Sequence, residues 1–202
     1  MLAIQQLLLQ RGTWERRYDL SIETGAIITI QGRSGAGKSA LLAAIAGFEP
    51  VLAGDIQWQG QSLLPLSIEQ RPVSMLFQEH NLFEHISVAK NLNLGLQFAS
   101  KPAQQAAIAA AADALELAPY LHKMPSELSG GQRQRVALLR TILRREPLIL
   151  LDEPFAELDV HTRELAGDWV RASAKAANKT VLLVTHQNED VERLADRNII
   201  LD

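Results

Sequence analysis

A glycine-rich loop between two apolar runs limits what this chain can fold into. The residues Gly32 to Ser39, GRSGAGKS, follow the strand-like run AIITIQ and precede the helix-like run ALLAAIAGF, which Gly47 ends. Glycines allow the backbone to curl so that successive N–H groups point at phosphate oxygens, and the following helix adds its positive end. Lys38 is placed to neutralise β- and γ-phosphates, and the Ser39 hydroxyl to bind Mg²⁺. The pattern predicts a nucleotide site.

Composition indicates an ordinary globular chain. It has 202 residues, of which 47% are hydrophobic and 21% charged, and its net charge is −3. That balance gives no broad attraction to nucleic acid, and the absence of cysteine excludes disulfides and thiol chemistry. No apolar run is long enough to cross a membrane, and the N-terminus lacks the basic start of a signal peptide. We expect a cytoplasmic protein.

Alternating strand-like and helix-like segments predict an α/β fold with a mainly parallel sheet. The N-terminal strands are expected at residues 2–9, 18–22, 26–30 and 55–58, and another at 71–78. Residues 87–118 are rich in Ala, Gln and Leu and predict a helical region, and a second helix follows Ser129. Beyond it, the pattern predicts strands at 148–151, 180–186 and 198–202, and helices near 160–177 and 190–195.

Two acidic residues follow the most hydrophobic of these strands. LILLLDEP carries Asp152 and Glu153 where the strand ends, and the carboxyl end of a parallel strand faces the ligand crevice. Asp152 can hold Mg²⁺, directly or through water, and Glu153 can polarise the attacking water. An acidic pair after a strand is weak evidence alone, but it is strong beside a phosphate loop.

The motif LSGGQ, Leu128 to Gln132, completes a set of motifs. With GRSGAGKS, Gln78 in MLFQE, LLLDEP, His186 in LLVTH and Asp159 in FAELD, it gives the chain a resemblance to the ATP-binding subunit of ATP-binding-cassette (ABC) transporters. The resemblance covers essentially all 202 residues. It implies a P-loop NTPase (RecA-like) core with an N-terminal antiparallel β region at residues 1–84 and 141–202, and an inserted helical subdomain at 85–140. Nothing regulatory is expected within this length.

The resemblance implies roles for individual residues. ATP would be held by Gly32, Arg33, Ser34, Gly35, Ala36, Gly37, Lys38, Ser39 and Ala40. Ser129, Gly130, Gly131 and Gln132 would cradle the γ-phosphate of ATP on a second copy of the chain, with Asp159 in the loop between the copies. Gln78 would touch Mg²⁺ or the attacking water, and His186 would bind the γ-phosphate and orient the water of Glu153. The other histidines, His80, His85, His122 and His161, are interpreted as surface or interface residues.

Two positions depart from the family pattern. Ala40 stands where a second hydroxyl residue is usual, which removes an expected α-phosphate contact worth about 1 kcal/mol. Arg11 stands where an aromatic ring usually stacks on adenine, and Trp14 is the nearby aromatic residue. An arginine plane can also stack on a base, so both remain candidates.

The resemblance further implies an importer motor at the cytoplasmic face of the bacterial inner membrane. Its partners would be a second copy, integral-membrane permease subunits and, indirectly, a periplasmic solute-binding protein. The segments around Gln78 and LSGGQ are most similar to thiamine importers, with iron, polyamine, molybdate and sulfate importers as alternatives.

Phe77 to Leu96 would form the permease groove, with Leu82, Phe83 and Ile86 exposed. A soluble cassette acting on DNA or ribosomes fits less well, because such relatives carry coiled-coil insertions or two cassettes, and a non-hydrolysing regulator would not need Glu153 and His186.

Overall fold

A five-stranded parallel sheet forms the centre of the protein in a computed structural model, which describes residues 1–79 and 82–201. The strand order is β6-β7-β8-β3-β9, and all neighbours are parallel. The strands are β3 (Ile27–Gly32), β6 (Val73–Leu76), β7 (Leu148–Asp152), β8 (Thr180–Val184) and β9 (Arg197–Leu201). The carboxyl ends of β3, β7 and β8 therefore meet at one edge.

A second, antiparallel sheet is built from the N-terminal third of the chain, in the order β2-β1-β4-β5. Its strands are β1 (Leu2–Arg11), β2 (Trp14–Ile22), β4 (Ala53–Trp58) and β5 (Gln61–Ser62). The predicted strands lie within or overlap these elements, and β2 begins four residues earlier than expected.

Helices cover the parallel sheet on both faces. They are α1 (Lys38–Ala46), α2 (Val88–Asn93), α3 (Lys101–Ala114), α4 (Gly130–Ile142), α5 (Val160–Ala176) and α6 (Asn188–Leu194), with short 3₁₀ turns at Ile68–Gln70, Ala118–Tyr120 and Pro125–Glu127. Among the described residues, no helix is long and apolar enough to span a bilayer.

Alternation along β7 separates two hydrophobic cores. Leu148 and Leu150 pack with α1 and the antiparallel sheet. Ile149 and Leu151, on the opposite face, pack with α4 and α5. Because both faces of the strand are buried, its sequence is continuously apolar, as a strand inside a parallel sheet requires. This packing fixes β7 rigidly and so fixes the residues that follow it.

The predicted α/β fold, with an antiparallel N-terminal region and an added helical segment, is confirmed. The division at residues 84/85 and 140/141 stays a prediction; α4 continues to Ile142, across the second boundary. Of the histidines, His80 lies outside the described residues.

Candidate functional site

The glycine-rich loop joins β3 to α1 as the sequence predicts. Its lysine is largely buried, and Nζ donates hydrogen bonds to the carbonyl oxygens of Gly32 at 2.8 Å and Arg33 at 3.0 Å. Gly37 precedes the helix in the left-handed region, with φ of 90°. The loop thus curls around the Lys38 ammonium, and the N-terminus of α1 points at the space beyond it.

Two aromatic residues of β2 hold this loop from outside. The Trp14 indole donates to the carbonyl oxygen of Gly35 at 3.0 Å, and the Tyr18 hydroxyl donates to that of Gly37 at 3.1 Å. A Cβ atom at Gly37 would lie only 2.1 Å from the Tyr18 oxygen, so glycine is required for this approach. Burial raises the pKa of Tyr18 to about 12.

A cavity of about 480 Å³ opens over the loop. It brings together residues from four separate sequence motifs, namely the phosphate loop, Gln78, Glu153 and His186, as predicted. The lining residues are Arg11, Trp14, Ser34, Gly35, Gly37, Lys38, Ser39, Ala40, Gln78, Glu153 and His186.

Ser39, which lines the cavity, is paired with the buried Asp152, which is not among the described lining residues. Their side chains are hydrogen-bonded, and burial raises the pKa of Asp152 above its ordinary value, partly opposed by that bond and by Lys38. Mg²⁺ prefers oxygen ligands and commonly takes one or two from protein while phosphates and water supply the rest. The donor chemistry of Ser39 and Asp152 therefore fits Mg²⁺.

Glu153 and His186 face each other at the ends of neighbouring strands. His186 Nε2 lies 3.2 Å from Glu153 Oε1, and both side chains are partly exposed. Glu153 has a φ of 49°, a left-handed conformation that a side chain rarely adopts. Such backbone strain is typical of functional sites held by their surroundings.

Thr185 and Asp190, which no sequence motif marks as functional, anchor the turn that carries His186. The buried Thr185 hydroxyl donates to the buried Asp190 carboxylate at 2.5 Å and accepts from the Gln187 N–H at 3.1 Å. Burial raises the pKa of Asp190, and the Thr185 hydrogen bond opposes this. His186 thus lies between Thr185 and Gln187, both of which are fixed by hydrogen bonds of the Thr185 hydroxyl.

The LSGGQ segment forms the start of α4, as predicted. The Ser129 hydroxyl accepts from the Gln132 N–H at 3.3 Å, and the Gln132 side chain accepts from the Ser129 N–H at 2.9 Å, which makes a reciprocal cap. A Cβ at Gly130 would lie 2.0 Å from Oε2 of Glu157. Packing within the chain therefore requires glycine at position 130, independently of any contact with phosphate.

Asp159 caps the next helix. Its carboxylate accepts from the Thr162 N–H at 3.0 Å and from the Thr162 hydroxyl at 2.7 Å, and these bonds lower the pKa of Asp159. Neither Asp159 nor residues 129–132 are among the described residues that line the nucleotide cavity. Their predicted roles toward a second chain stay predictions.

Arg11 and Trp14, the two candidates for stacking on the base, both line the cavity. The Arg11 Nε lies 2.9 Å from both carboxylate oxygens of Glu49, and Nη2 bonds the same group. The Arg11 hydrogen bond lowers the pKa of Glu49. Arg11 is thus fixed by an ion pair while its side chain stays 63% exposed, whereas the Trp14 ring packs on the phosphate loop.

A protein-family model described as ABC transporter matches residues 16–156, which is more than half of the chain. The chain belongs to the ABC transporter family. Membership of this family accounts for the phosphate loop, the acidic strand end and LSGGQ in one polypeptide, and it makes the protein a transporter ATPase.

Curated relatives in the ABC family cover most of the chain. The thiamine import ATP-binding protein ThiQ of Histophilus somni is 47% identical over 182 residues, covering 89% of this chain and 85% of the relative. ThiQ of Escherichia coli K12 is 43% identical over 187 residues, covering 92% of this chain and 81% of the relative.

A solved ABC cassette has the same fold over the whole chain. The dimeric post-hydrolysis state of the ATP-binding cassette MJ0796, bound to ADP and Pi, superposes with a TM-score of 0.88 at 25% identity. It covers 100% of this chain and 94% of the other. The predicted family and fold are therefore confirmed.

Proposed function

We propose that this ABC ATPase is the motor subunit of a thiamine importer. The observation that carries the ATPase assignment is the approach of His186 to Glu153, at 3.2 Å, on a cavity that the phosphate loop also lines. The choice of thiamine is supported by relatives named as thiamine import proteins at 43–48% identity.

The residues divide the work of hydrolysis. Backbone N–H groups of the loop and Lys38 bind the phosphates, and Glu153 accepts a proton from the water that attacks the γ-phosphorus. The bond from the γ-phosphorus to the β–γ bridging oxygen breaks, giving ADP and phosphate. His186 contacts the γ-phosphate and keeps the Glu153 carboxylate oriented, and Gln78 lies on the same cavity.

Ser39 and Asp152 would hold Mg²⁺, with Gln78 as a further oxygen donor. When bound, the ion neutralises charge on the β- and γ-phosphates. The raised pKa of Asp152 reflects a carboxylate taken out of water, and a nearby cation would favour its charged form.

The functional form with ATP is a homodimer in this proposal. Ser129, Gly130, Gly131 and Gln132 of one chain would bind the γ-phosphate held by the other, with Asp159 close to the junction. The solved cassette MJ0796, itself dimeric, supports this arrangement.

The permease partner would dock in a groove of about 570 Å³ on the other side of the Gln78 segment. Phe48, Phe77 and Phe83 give it apolar walls, and Arg71, Arg140 and Arg144 line it as well. Phe83 is 48% exposed, but Leu82 packs against the larger core and Ile86 is half-buried. Of the three residues predicted to be exposed, only Phe83 is exposed, and the prediction for Leu82 and Ile86 is wrong because both are partly buried.

This docking would hold the protein peripherally at the cytoplasmic face of the inner membrane, where the permease receives thiamine from a periplasmic solute-binding protein. No nucleic-acid partner is proposed.

Transport in a deletion strain tests the proposal. Cells lacking the gene should lose uptake of radiolabelled thiamine, and the wild-type gene should restore it, whereas the Glu153→Gln gene should not. Uptake of ferric iron, spermidine, molybdate and sulfate is measured in the same strains. Unchanged thiamine uptake with loss of another solute would contradict the thiamine assignment and leave the ATPase assignment in place.

A further inference from the structure

Gln134, in the second turn of α4, bridges two backbone groups beyond its own helix. It is 4% exposed. Its Nε2 donates to the carbonyl oxygen of Glu153 at 2.9 Å, and its Oε1 accepts from the Glu157 N–H at 2.8 Å. Both ends of the side-chain amide are therefore used, on the two ends of one short segment.

Glu153 needs such a partner because of its backbone conformation. Its φ of 49° lies in the left-handed region, which is strained for Glu153 because it is not a glycine. Its N–H donates to the Val184 carbonyl at 3.0 Å, so β8 holds one side of the residue. Gln134 holds the other side, and together they fix the direction in which the Glu153 carboxylate leaves the backbone.

The far end of the segment also rests on α4. The Glu157 carbonyl oxygen would lie 3.0 Å from a Cβ at Gly131, and the Glu157 side chain covers Gly130. The segment from Glu153 to Glu157 is thus packed against the first two turns of the helix that begins at the Ser129 cap.

We infer that Gln134 is a positioning residue for hydrolysis, which holds the Glu153 carboxylate in its reactive direction and fixes it relative to the LSGGQ helix. This inference rests on the proposed function, in which Glu153 accepts the proton of the attacking water. Gln134 is not one of the described residues that line the nucleotide cavity, so it acts through Glu153.

The test replaces Gln134 with residues of similar size. Gln134→Met removes both amide groups, and Gln134→Glu removes the donor to Glu153 but keeps an acceptor for Glu157. Both should lower kcat 10- to 100-fold, because small errors in the position of a reacting group have effects of this order. The Kd for Mg-ATP should stay within about twofold, since Lys38 and the loop are untouched.

The matched control is Thr180→Val. Thr180 is also fully buried and accepts a hydrogen bond from a backbone N–H, that of Gly25 at 2.9 Å, but it lies at the opposite end of β8 from His186. Thr180→Val should keep the wild-type kcat even where it lowers the melting temperature. Circular dichroism and Mg-ATP binding verify that each variant is folded.

A double variant separates positioning from general damage. In the Glu153→Gln background, Gln134→Met should change the residual rate by less than about twofold, because a residue that acts through Glu153 has nothing left to position. Wild-type kcat in both folded Gln134 variants, or an equal loss in the Glu153→Gln background, would overturn the inference. If Glu153→Gln itself kept the wild-type rate, the proposed role of Glu153 would fail instead.

Discussion

Nε2 of His186 lies 3.2 Å from Oε1 of Glu153, across the ends of two adjacent parallel strands. The last pair in the register is Asp152 with Val184. Glu153 directly follows Asp152, and His186 lies two residues after Val184. One imidazole and one carboxylate in this geometry can act on the same water, with the carboxylate taking the proton. Separate hydrogen bonds to the backbone near each residue hold the two side chains in this arrangement.

Glu153→Gln should lower ATP turnover by roughly 10²–10⁴, because the amide keeps the size and hydrogen bonding of the side chain but cannot accept the proton. Phosphate release from the purified protein measures this. Glu189→Gln is the control, since Glu189 is exposed on α6, and it should hydrolyse ATP at the wild-type rate. Equal rates for the Glu153 variant and the wild type would mean that another group is the base.

Glu153→Gln should also form a dimer with Mg-ATP and remain monomeric with ADP. A nucleotide bound between two chains stabilises the dimer over the monomer, and slow hydrolysis keeps that nucleotide intact. Adding Ser129→Arg should abolish the dimer by filling the cap of α4 with bulk and charge, while ATP binding at Lys38 persists. Size-exclusion chromatography decides between these outcomes. A monomer with saturating Mg-ATP would contradict the composite site.

The strands and helices could be predicted because their sequence patterns reflect local packing. Buried β7 and β8 are continuously apolar, and Gly47 ends α1 in the left-handed conformation. The short helix α2 was not predicted separately, because its six residues are too few to show a clear period.

The candidate site could be predicted only as far as its motifs. Glu153 and His186 could be placed at strand ends from the apolar runs before them. The bridge made by Gln134 and the pairing of Arg11 with Glu49 could not, because each joins segments that approach only in the folded chain. The φ of Glu153 likewise depends on these tertiary partners rather than on its own propensity.

Ala40→Ser should strengthen ATP binding by about fivefold. Ala40 lines the nucleotide cavity directly after Ser39, and a hydroxyl there would add one hydrogen bond to phosphate, worth about 1 kcal/mol. Titration calorimetry with Mg-ATP measures the change. Ala43→Ser, one turn further along α1, should leave the affinity unchanged; equal effects from both would rule out a direct phosphate contact.

Phe83→Asp should uncouple ATP hydrolysis from transport. Phe83 is the most exposed apolar side chain of the predicted permease segment, and a carboxylate in its place would be buried on docking at a high cost. ATP binding by the isolated subunit should persist while thiamine uptake falls. Leu52→Asp is the control, because Leu52 is 57% exposed but does not line the groove. Normal transport with Phe83→Asp would remove the docking assignment.

Arg11 and Trp14 should affect nucleotide binding differently. Arg11 is exposed and held by Glu49, so its guanidinium plane is free to stack on a base, whereas the Trp14 ring supports the phosphate loop. Arg11→Ala should weaken binding of ATP about fivefold and leave binding of inorganic tripolyphosphate unchanged, because only the base contact is lost. Trp14→Ala should weaken the binding of both ligands together.

Since stacking by Arg11 does not read the edge of the base, ATP and GTP should bind the wild type within about tenfold, or 1.4 kcal/mol, of each other. Competition titrations with the three ligands measure all these affinities, and Arg11→Lys, which keeps the charge without the plane, should behave like Arg11→Ala. A loss of ATP binding alone in Trp14→Ala, with Arg11→Ala unaffected, would assign the base contact to the indole instead.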